Sequence, residues 1–269
     1  MGKPVRARGW RTERLAGWFR LRKAPASRGW RLARAGLLAL VAVILVPYLL
    51  APLYRFVDPV STLMLWRWAT GARVERRWVP LERMAPALRL AVLAAEDDRF
   101  CSHHGVDFAE LNGVIGGIED VNDLAEVRGG STITQQTAKN LFLWQGRSFV
   151  RKALEFPLAF WLDLVLPKRR VLEIYLNIAE WGPNGEFGIE AAARRDFNKP
   201  ARDLNAREAA LLAASLPNPN RRDPRAPKPG LRRLAGLYQG RMARSPAIDA
   251  CVRTGRQGAT PSFRRALPL

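Results

Sequence analysis

An uncharged apolar stretch near the N-terminus limits what this chain can fold into more than any other feature. Residues 35–53 read AGLLALVAVILVPYLLAPL, nineteen positions without a charged side chain. A helix that rises about 1.5 Å per residue carries them across roughly 28 Å, close to the thickness of a bilayer's hydrocarbon core. Pro47 and Pro52 lie in the second half, where a membrane helix tolerates a kink. The stretch therefore predicts one transmembrane anchor over residues 35–54.

The charges on either side of this stretch predict its orientation. Residues 1–34 contain eleven Lys and Arg against the single acid Glu13, and no comparable cluster directly follows the span. Because basic residues concentrate on the cytoplasmic side, we expect a basic cytoplasmic tail over residues 1–34 and everything after about Tyr54 outside. A cleaved signal peptide is the alternative. The basic prelude is long for one, and no small-x-small cleavage site follows cleanly, which favours a retained anchor.

The formal net charge of +20 at pH 7 raises the question of a nucleic-acid partner. Residues 220–269 hold twelve Lys and Arg against two Asp, and the N-terminal tail accounts for the other half of the excess, so residues 35–219 are neutral overall. Basic tails around a neutral middle are typical of solvated segments or membrane-surface contacts rather than of a nucleic-acid groove. We therefore expect no nucleic-acid partner.

Beyond Pro80 the apolar residues recur every three or four positions, as in amphipathic helices, and few stretches alternate as strands do. The pattern predicts helices over residues 83–96, 107–118, 131–143, 149–165, 168–180, 188–198 and 205–215. The sequence thus indicates a mainly α-helical domain over residues 55–220. The turn-rich stretch PNPNRRDPRAPKPG follows Leu216, and residues 221–269 form a basic, Pro- and Arg-rich C-terminal segment without an assigned role.

Before that domain's regular helices, residues 61–68 read STLMLWRW. The stretch is apolar and aromatic but too short to span a bilayer. It is either an interfacial element beside the anchor or ordinary core.

The few cysteines and histidines exclude several classes of enzyme. Cys101 and Cys251 lie 150 positions apart, which matches neither a disulfide framework nor metal-ligand spacing, so we expect them to be structural or incidental and to say little about the redox compartment. His103 and His104 are adjacent and are the only histidines. This leaves no HExxH zinc site and no distant base for a Ser/His/Asp triad.

Three consecutive carboxylates stand at the end of an apolar run. Glu96, Asp97 and Asp98 follow a run that begins near Leu88. Crowded like charges, one of them carried into an apolar face, raise a carboxylate's pKa and suit it to proton transfer near neutral pH. A helix end with solvated acids explains the stretch equally well.

The stretch RGGSTITQQTAKN, residues 128–140, combines two glycines with a helix start. Thr132 and Gln135 have capping-box spacing. Gln135 and Lys139 are four residues apart and so share one face of that helix. Donors near a helix N-terminus make an anion site, although a well-capped helix without a ligand fits the same pattern.

A basic stretch follows at residues 146–155, GRSFVRKALE. Arg147 and Arg151 are one helical turn apart, Lys152 is adjacent, and Glu155 lies one turn beyond Arg151. Such cations can share a pyrophosphate, Arg by its planar fork and Lys as a point charge. The alternative is a salt-bridge ladder on an exposed helix face.

Taken in order, these stretches closely resemble the monofunctional biosynthetic peptidoglycan transglycosylases, a family also fused to transpeptidases in larger penicillin-binding proteins. The resemblance covers about residues 66–220. The family's first motif, ED-x-x-F-x-x-H-x-G, falls on Glu96, Asp97, Phe100, His103 and Gly105, and its second, G-x-STITQQ, falls on Gly129 and Ser131 to Gln136. The third, RK-x-x-E, falls on Arg151, Lys152 and Glu155. The fourth, K-x-x-(I/V)LE-x-YLN, falls on Lys168, Val171, Leu172, Glu173, Tyr175, Leu176 and Asn177. Asp196 departs from the pattern, because the family usually has an aromatic residue there, and this concerns local packing.

The resemblance implies a lysozyme-like, mainly helical glycosyltransferase domain that polymerises lipid II. In the family, the 4-hydroxyl of a lipid-linked disaccharide-peptide attacks the anomeric carbon of the growing chain and releases undecaprenyl pyrophosphate. Glu96 matches the catalytic base, and Glu155 matches a second glutamate that orients the cations or assists at the leaving group. Other implied substrate-binding residues are Lys139, Arg147, Arg151 and Lys152 for the pyrophosphate, together with Ser131, Gln135, Gln136 and Asn177.

The resemblance also implies a place and partners. It puts the chain in the bacterial cytoplasmic (inner) membrane as a single-pass protein, with a periplasmic or extracellular catalytic domain, and leaves room for cell-division or elongation proteins as partners. A divalent cation, Mg²⁺ or Mn²⁺, often accompanies this chemistry in the family. No local cluster of Asp and Glu identifies a site for it, and we assign no metal ligand.

Two alternatives stay open from the sequence. Another lysozyme-like enzyme, a lytic transglycosylase, cuts glycan with a single glutamate acid, but it has no need of clustered cations. The chain could also be a catalytically idle membrane scaffold that recruits cell-wall proteins through its basic tails.

Overall fold

A computed structural model describes residues 28–115, 130–146 and 148–254. It divides the chain into two units, one up to Leu45 and one from Val46 onward. Helix α1, Arg28–Leu53, has a mean hydropathy of 2.5 over its most apolar window and is the one helix in the described ranges long and apolar enough to cross a membrane. The predicted single apolar helix is confirmed, and it begins seven residues before the uncharged stretch.

The second unit is built almost entirely of helices, which confirms the predicted mainly α class. They are α2 (Thr62–Ala69), α3 (Pro86–Glu96), α4 (Phe108–Ile115), α5 (Ile133–Phe142), α6 (Phe149–Val165), α7 (Lys168–Ile178), α8 (Ile189–Phe197), α9 (Ala206–Ser215), α10 (Pro229–Arg244) and α11 (Ala250–Thr254). Two short strands, β1 (Glu75–Arg76) and β2 (Glu186–Phe187), pair in parallel with Glu75 opposite Glu186. Each predicted helix beyond Pro80 is present, with ends that shift by a few residues; the last three residues of the helix predicted over 107–118 lie outside the described residues.

Helix α7 is the centre of the fold. Every residue from Val171 to Ile178 is buried, as expected of a helix surrounded by other elements rather than lying at the surface. Helices α5, α6, α8 and α11 pack against it. The side chains of α7 that face α5 therefore pack against the N-terminal part of α5.

The C-terminal segment contributes to the same compact unit. Helix α10 packs against α3 and α9, where Leu231 and Ala235 join Ala210, Leu211 and Ala214 in a small apolar cluster. The division at residue 220 therefore follows a change in composition, whereas packing continues to residue 254.

The two cysteines form a disulfide, which corrects the expectation that their spacing argues against one. The Sγ atoms of Cys101 and Cys251 are 2.07 Å apart, and both residues lie in or against the main core. Nearby, Asp249 pairs with Arg89 at 3.7 Å. Distance along the chain does not limit which cysteines meet in a fold, and here α11 returns to the loop after α3.

The outward face of α6 carries only apolar side chains. Its exposed residues are Phe149, Val150, Ala153, Leu154, Pro157, Phe160 and Leu164. Phe108 stacks on Phe160 at 5.8 Å between ring centroids. Surfaces this apolar mark contacts with membranes or proteins.

Helix α2 contains most of residues 61–68, the stretch predicted to be either an interfacial element or ordinary core. It has features of both. Met64 is buried in the core, whereas Trp66 and Trp68 are 66% and 53% exposed. Exposed tryptophans of this kind are typical of membrane-interface positions.

Asp196, the departure from the family pattern, is accommodated by an ion pair. Its fully buried carboxylate accepts hydrogen bonds from Arg195 at 2.6 and 2.8 Å. The pair replaces apolar packing after the fourth motif with a neutralised polar contact.

Candidate active site

Glu96 lies at the last turn of α3, where the apolar face of the helix gives way to polar residues. Leu88, Val92 and Leu93 anchor the helix in the core and fix where the glutamate emerges. Its Oε2 accepts a hydrogen bond of 2.8 Å from the Gln136 side-chain amide. The amide oxygen of Gln136 in turn accepts one of 2.8 Å from the Tyr175 hydroxyl. These two hydrogen bonds connect the Glu96 carboxylate through Gln136 of α5 to Tyr175 of α7.

The surroundings of Glu96 raise its pKa above the usual range. Burial is the largest cause, and the negative charge of Asp97 adds to it; the Gln136 hydrogen bond and the charges of Lys139 and Arg222 act in the opposite direction. A carboxylate with a raised pKa is a better proton acceptor, and its pKa moves toward the pH at which it works. Glu96 is thus suited to act as a base.

Tyr175 remains a hydrogen-bond donor under all ordinary conditions. Burial, followed by the charges of Glu96 and Asp97, raises its pKa well above 10. The neutral phenol therefore fixes the orientation of the Gln136 amide, so that the amide nitrogen faces Glu96.

Asp97 has a different task from its neighbour. Its carboxylate contacts Nε2 of His103 at 2.9 and 3.1 Å and accepts a hydrogen bond of 2.9 Å from the backbone N–H of Ile133. That N–H is at the first residue of α5, where a negative charge is favourable. Asp97 therefore ties the end of α3 to the start of α5 and sets the distance between Glu96 and Gln136.

The start of α5 is locked by the capping box that the sequence predicts. Gln135 N–H donates to Thr132 Oγ1 at 3.1 Å, and the Gln135 side chain accepts from Thr132 N–H at 3.0 Å. The Thr132 hydroxyl also donates to the carbonyl of Gly105 at 2.5 Å. Gly105 has φ +80°, and a Cβ there would lie 2.5 Å from the Ala159 carbonyl oxygen, so this position requires glycine.

Two of the residues predicted to bind substrate, Gln135 and Asn177, are buried in the structure. Gln135 is 1% exposed and serves the capping box. Asn177 is fully buried, accepts from Val79 N–H and donates to the Val79 carbonyl, both at 2.9 Å. Hydrogen bonds within the fold engage the Asn177 side chain, whereas the Gln135 amide nitrogen is buried without a hydrogen-bond partner among the described residues. A role of either residue in substrate binding stays a prediction.

The cations of the third motif surround Glu155 on the first turns of α6. Lys152 Nζ donates to Ser131 Oγ at 2.7 Å and to Glu155 Oε2 at 3.1 Å. Arg151 pairs with the other carboxylate oxygen of Glu155 and donates from Nε to the Gly146 carbonyl at 2.9 Å. The predicted Arg151–Glu155 ladder exists, but Glu155 is only 3% exposed. The pair is therefore part of the interior of the site rather than of a solvated face.

The positive charges of Lys139, Arg151 and Lys152 repel one another, and nearby carboxylates do not fully neutralise them. Burial lowers the pKa of Lys152 to about 8, with further lowering by Arg151 and Lys139. Burial and Arg151 likewise lower the pKa of Lys139, against the opposite effect of Glu96. An anion placed among these groups would relieve both effects. Lys139 also interacts with both Glu96 and Arg151, so it connects the carboxylate to the cations.

Arg147, the remaining predicted phosphate-binding residue, lies outside the described residues. Ser131, Gln136, Lys139, Arg151 and Lys152 are half-buried and gather between α3, α5 and α6. The structure thus brings these five predicted residues together, and their role in substrate binding stays a prediction.

Three further residues near Glu96 come from the C-terminal segment, and sequence reasoning missed them. They are Arg222, Tyr238 and Arg241. Arg222 donates to the Ala214 carbonyl at 2.7 Å and acts electrostatically on Glu96. Arg241 donates to the Ala94 carbonyl at 3.1 Å, two residues before Glu96, and lies 5.7 Å from the Tyr238 ring. A Pro- and Arg-rich composition carries no signal for such a position, which depends on how α10 packs.

The residues of the site do not form a ready metal centre. Across the parts of the chain that the structure describes, no three His, Cys, Asp or Glu side chains come together to hold an ion. Both oxygens of Asp97, the nearest acid to Glu96, are already engaged by His103 and Ile133. The divalent cation implied by the resemblance thus has no built site among these side chains.

Comparison with known proteins identifies the family of the chain. The transglycosylase family model matches residues 64–242. A biosynthetic peptidoglycan transglycosylase of Nitrobacter hamburgensis is 59% identical over 219 residues, covering 81% of this chain and 95% of the relative. Proteins of the same name from Rhodopseudomonas palustris and Agrobacterium fabrum are 56% and 51% identical, covering 87% and 82% of this chain and 98% and 97% of their own length. The chain belongs to the transglycosylase family, alongside the biosynthetic peptidoglycan transglycosylases.

Proposed function

We propose that this peptidoglycan glycosyltransferase polymerises lipid II into glycan strands by an inverting transfer with Glu96 as the general base. The observation that carries the proposal is the position of Glu96. Its carboxylate has a raised pKa, is held by Gln136 and stands beside a set of undercompensated cations. The relatives named above are biosynthetic peptidoglycan transglycosylases, which supports the same reaction.

In the proposed step, Glu96 takes the proton of the acceptor's 4-hydroxyl as that oxygen bonds to the donor's anomeric carbon. The bond from this carbon to the pyrophosphate oxygen breaks on the opposite face, which inverts the configuration. The electron pair of that bond leaves with undecaprenyl pyrophosphate. General-base assistance of this kind contributes about 10²- to 10⁴-fold in rate.

Charge develops on the leaving pyrophosphate, and the cations of α5 and α6 are placed to receive it. Lys139, Arg151 and Lys152 are partly desolvated, so each interacts with phosphate oxygens more strongly than it would in water. Glu155 holds Arg151 and Lys152 side by side before substrate arrives.

The chain has one N-terminal apolar helix that fits a membrane anchor. We place it in the bacterial inner membrane with the N-terminus in the cytoplasm and the catalytic domain in the periplasm or outside. The Cys101–Cys251 disulfide supports an oxidising compartment for the catalytic domain. The apolar face of α6 and the tryptophans of α2 suit contact with lipid, where both substrates have their polyprenyl chains. Partners among cell-division or elongation proteins stay a proposal.

The test is polymerisation by the full-length protein in liposomes that contain lipid II. We expect wild type to form glycan chains and Glu96→Gln to form them about 10²- to 10⁴-fold more slowly while it remains folded and membrane-bound. Asp98→Asn, which removes an exposed acid two residues away, is the matched control and should keep activity. A rate close to that of wild type in Glu96→Gln would contradict the assignment of the base.

A parallel incubation with finished peptidoglycan separates the lytic alternative. Release of soluble fragments, with lipid II left intact, would show a lytic enzyme instead. A scaffold without catalysis would leave both substrates unchanged.

A further inference from the structure

A basic cavity lies in the C-terminal segment, between the residues that lead into α10 and the first turns of that helix. Its volume is about 340 Å³, and its lining includes Arg221, Arg222, Asp223, Lys228, Leu231 and Leu234. This is at the lower end of the roughly 300–1,000 Å³ of small-molecule sites. None of the pyrophosphate-binding residues proposed above belongs to it.

The charges of the lining leave an excess of cations. Asp223 pairs with Arg225 at 3.0 Å and also accepts the Arg225 backbone N–H at 2.9 Å, so its charge is matched from outside the lining. Arg221 and Lys228 are exposed and form no ion pair within the described ranges. A concave surface with unmatched cations attracts an anionic group.

Arg222 connects this cavity to the catalytic base. It lines the cavity, donates to the Ala214 carbonyl at 2.7 Å and acts electrostatically on Glu96. Arg241, from the same helix as the cavity's apolar residues, hydrogen-bonds within two residues of Glu96. Arg222 is thus common to the lining of the cavity and to the surroundings of Glu96, and none of Lys139, Arg151 and Lys152 lines the cavity.

We infer that the cavity binds carboxylates of the stem peptide of lipid II. The inference rests on the proposed function, which supplies a substrate with two anionic parts. The pyrophosphate is accounted for by Lys139, Arg151 and Lys152, and the sugar rings are uncharged, so the peptide is the remaining anion. Leu231 and Leu234 offer apolar surface to its side chains, while Arg221 and Lys228 offer donors to its carboxylates.

The experiment combines a change in the protein with a change in the substrate. Full-length wild type and the double variant Arg221→Gln/Lys228→Gln polymerise lipid II in liposomes, either with the natural stem or with carboxamides in place of the stem carboxylates. We expect the variant to raise KM for natural lipid II about five- to tenfold, as for two partly exposed charge contacts. Its kcat should stay close to wild type. On the amidated substrate, wild type and variant should have the same KM.

The matched control is Arg233→Gln/Arg244→Gln, which removes two exposed charges of α10 that do not line the cavity. It should leave KM for both substrates unchanged. An equal rise in KM on both substrates would overturn the inference, because the cations would then act on phosphates or lipid headgroups. Identical kinetics for wild type and variant on natural lipid II would overturn it as well. If wild type polymerises neither substrate, it is the proposed function that fails.

Discussion

Glu96 and Glu155 are carboxylates of one site with opposite surroundings. Glu96 is held by a neutral amide, and burial raises its pKa. Glu155 is held between Arg151 and Lys152, both within ion-pair distance. A carboxylate with a raised pKa that is held by a neutral donor is suited to accept a proton, whereas Glu155 is already engaged by two cations. The comparison favours the proposed proton transfer at the end of α3 and the proposed placement of cations by α6.

The largest expected effect is that of Glu96→Gln. Loss of the base should lower kcat by about 10²- to 10⁴-fold, and the remaining rate should no longer fall at acid pH. Single-turnover polymerisation across a pH series measures both. A variant that keeps the acid limb of the wild-type profile would show that another group is the base.

Glu155→Gln should have the next largest effect, of a different kind. Its amide cannot balance two cations, and losing one partner of a buried charge pair costs about 2 kcal/mol or more, or roughly thirtyfold in kcat/KM. The acid limb should remain, since Glu96 is intact. Loss of that limb in Glu155→Gln would remove the distinction between the two glutamates.

Gln136→Leu tests how the base is tuned. The amide hydrogen bond lowers the pKa of Glu96 against the effect of burial, so its loss should raise that pKa further. The acid limb of kcat/KM should then move to higher pH, with several-fold lower activity near pH 7. Tyr175→Phe keeps the amide contact and is the control, with a smaller shift. An unchanged acid limb in Gln136→Leu would place the limb on another group.

Lys152→Arg should have the smallest effect, confined to alkaline pH. The Lys152 cation, with a pKa of about 8, is present below that pH and lost as the pH rises through it. Wild-type kcat/KM should therefore decline above about pH 8, and Arg, which stays charged, should extend the plateau. Below pH 7 both side chains are charged, and the two proteins should have nearly the same kcat/KM. A decline at the same pH in both would exclude Lys152 as its cause.

Local patterns in the sequence predicted most of the helices, because spacing of apolar residues depends only on helix geometry. The Thr132–Gln135 capping box was predictable for the same reason. The burial of Asn177 was not predictable, since its side chain is held by Val79, which is distant in sequence. The place of Arg222 beside Glu96 depends on how α10 packs on α3 and α9. Contacts of this kind produce no periodic pattern in a single sequence, so they could not be predicted from it.

The Cys101–Cys251 bond makes most of the catalytic domain one covalent ring. The two cysteines are 150 residues apart, so a single protease cut between them leaves the fragments joined until a reductant separates them. Electrophoresis with and without reductant would therefore report whether the bond forms in cells. A ring this large removes much of the unfolded chain's freedom, about 2–4 kcal/mol in typical cases. Reductants in purification buffers would open it and lower the thermal stability of the enzyme under assay.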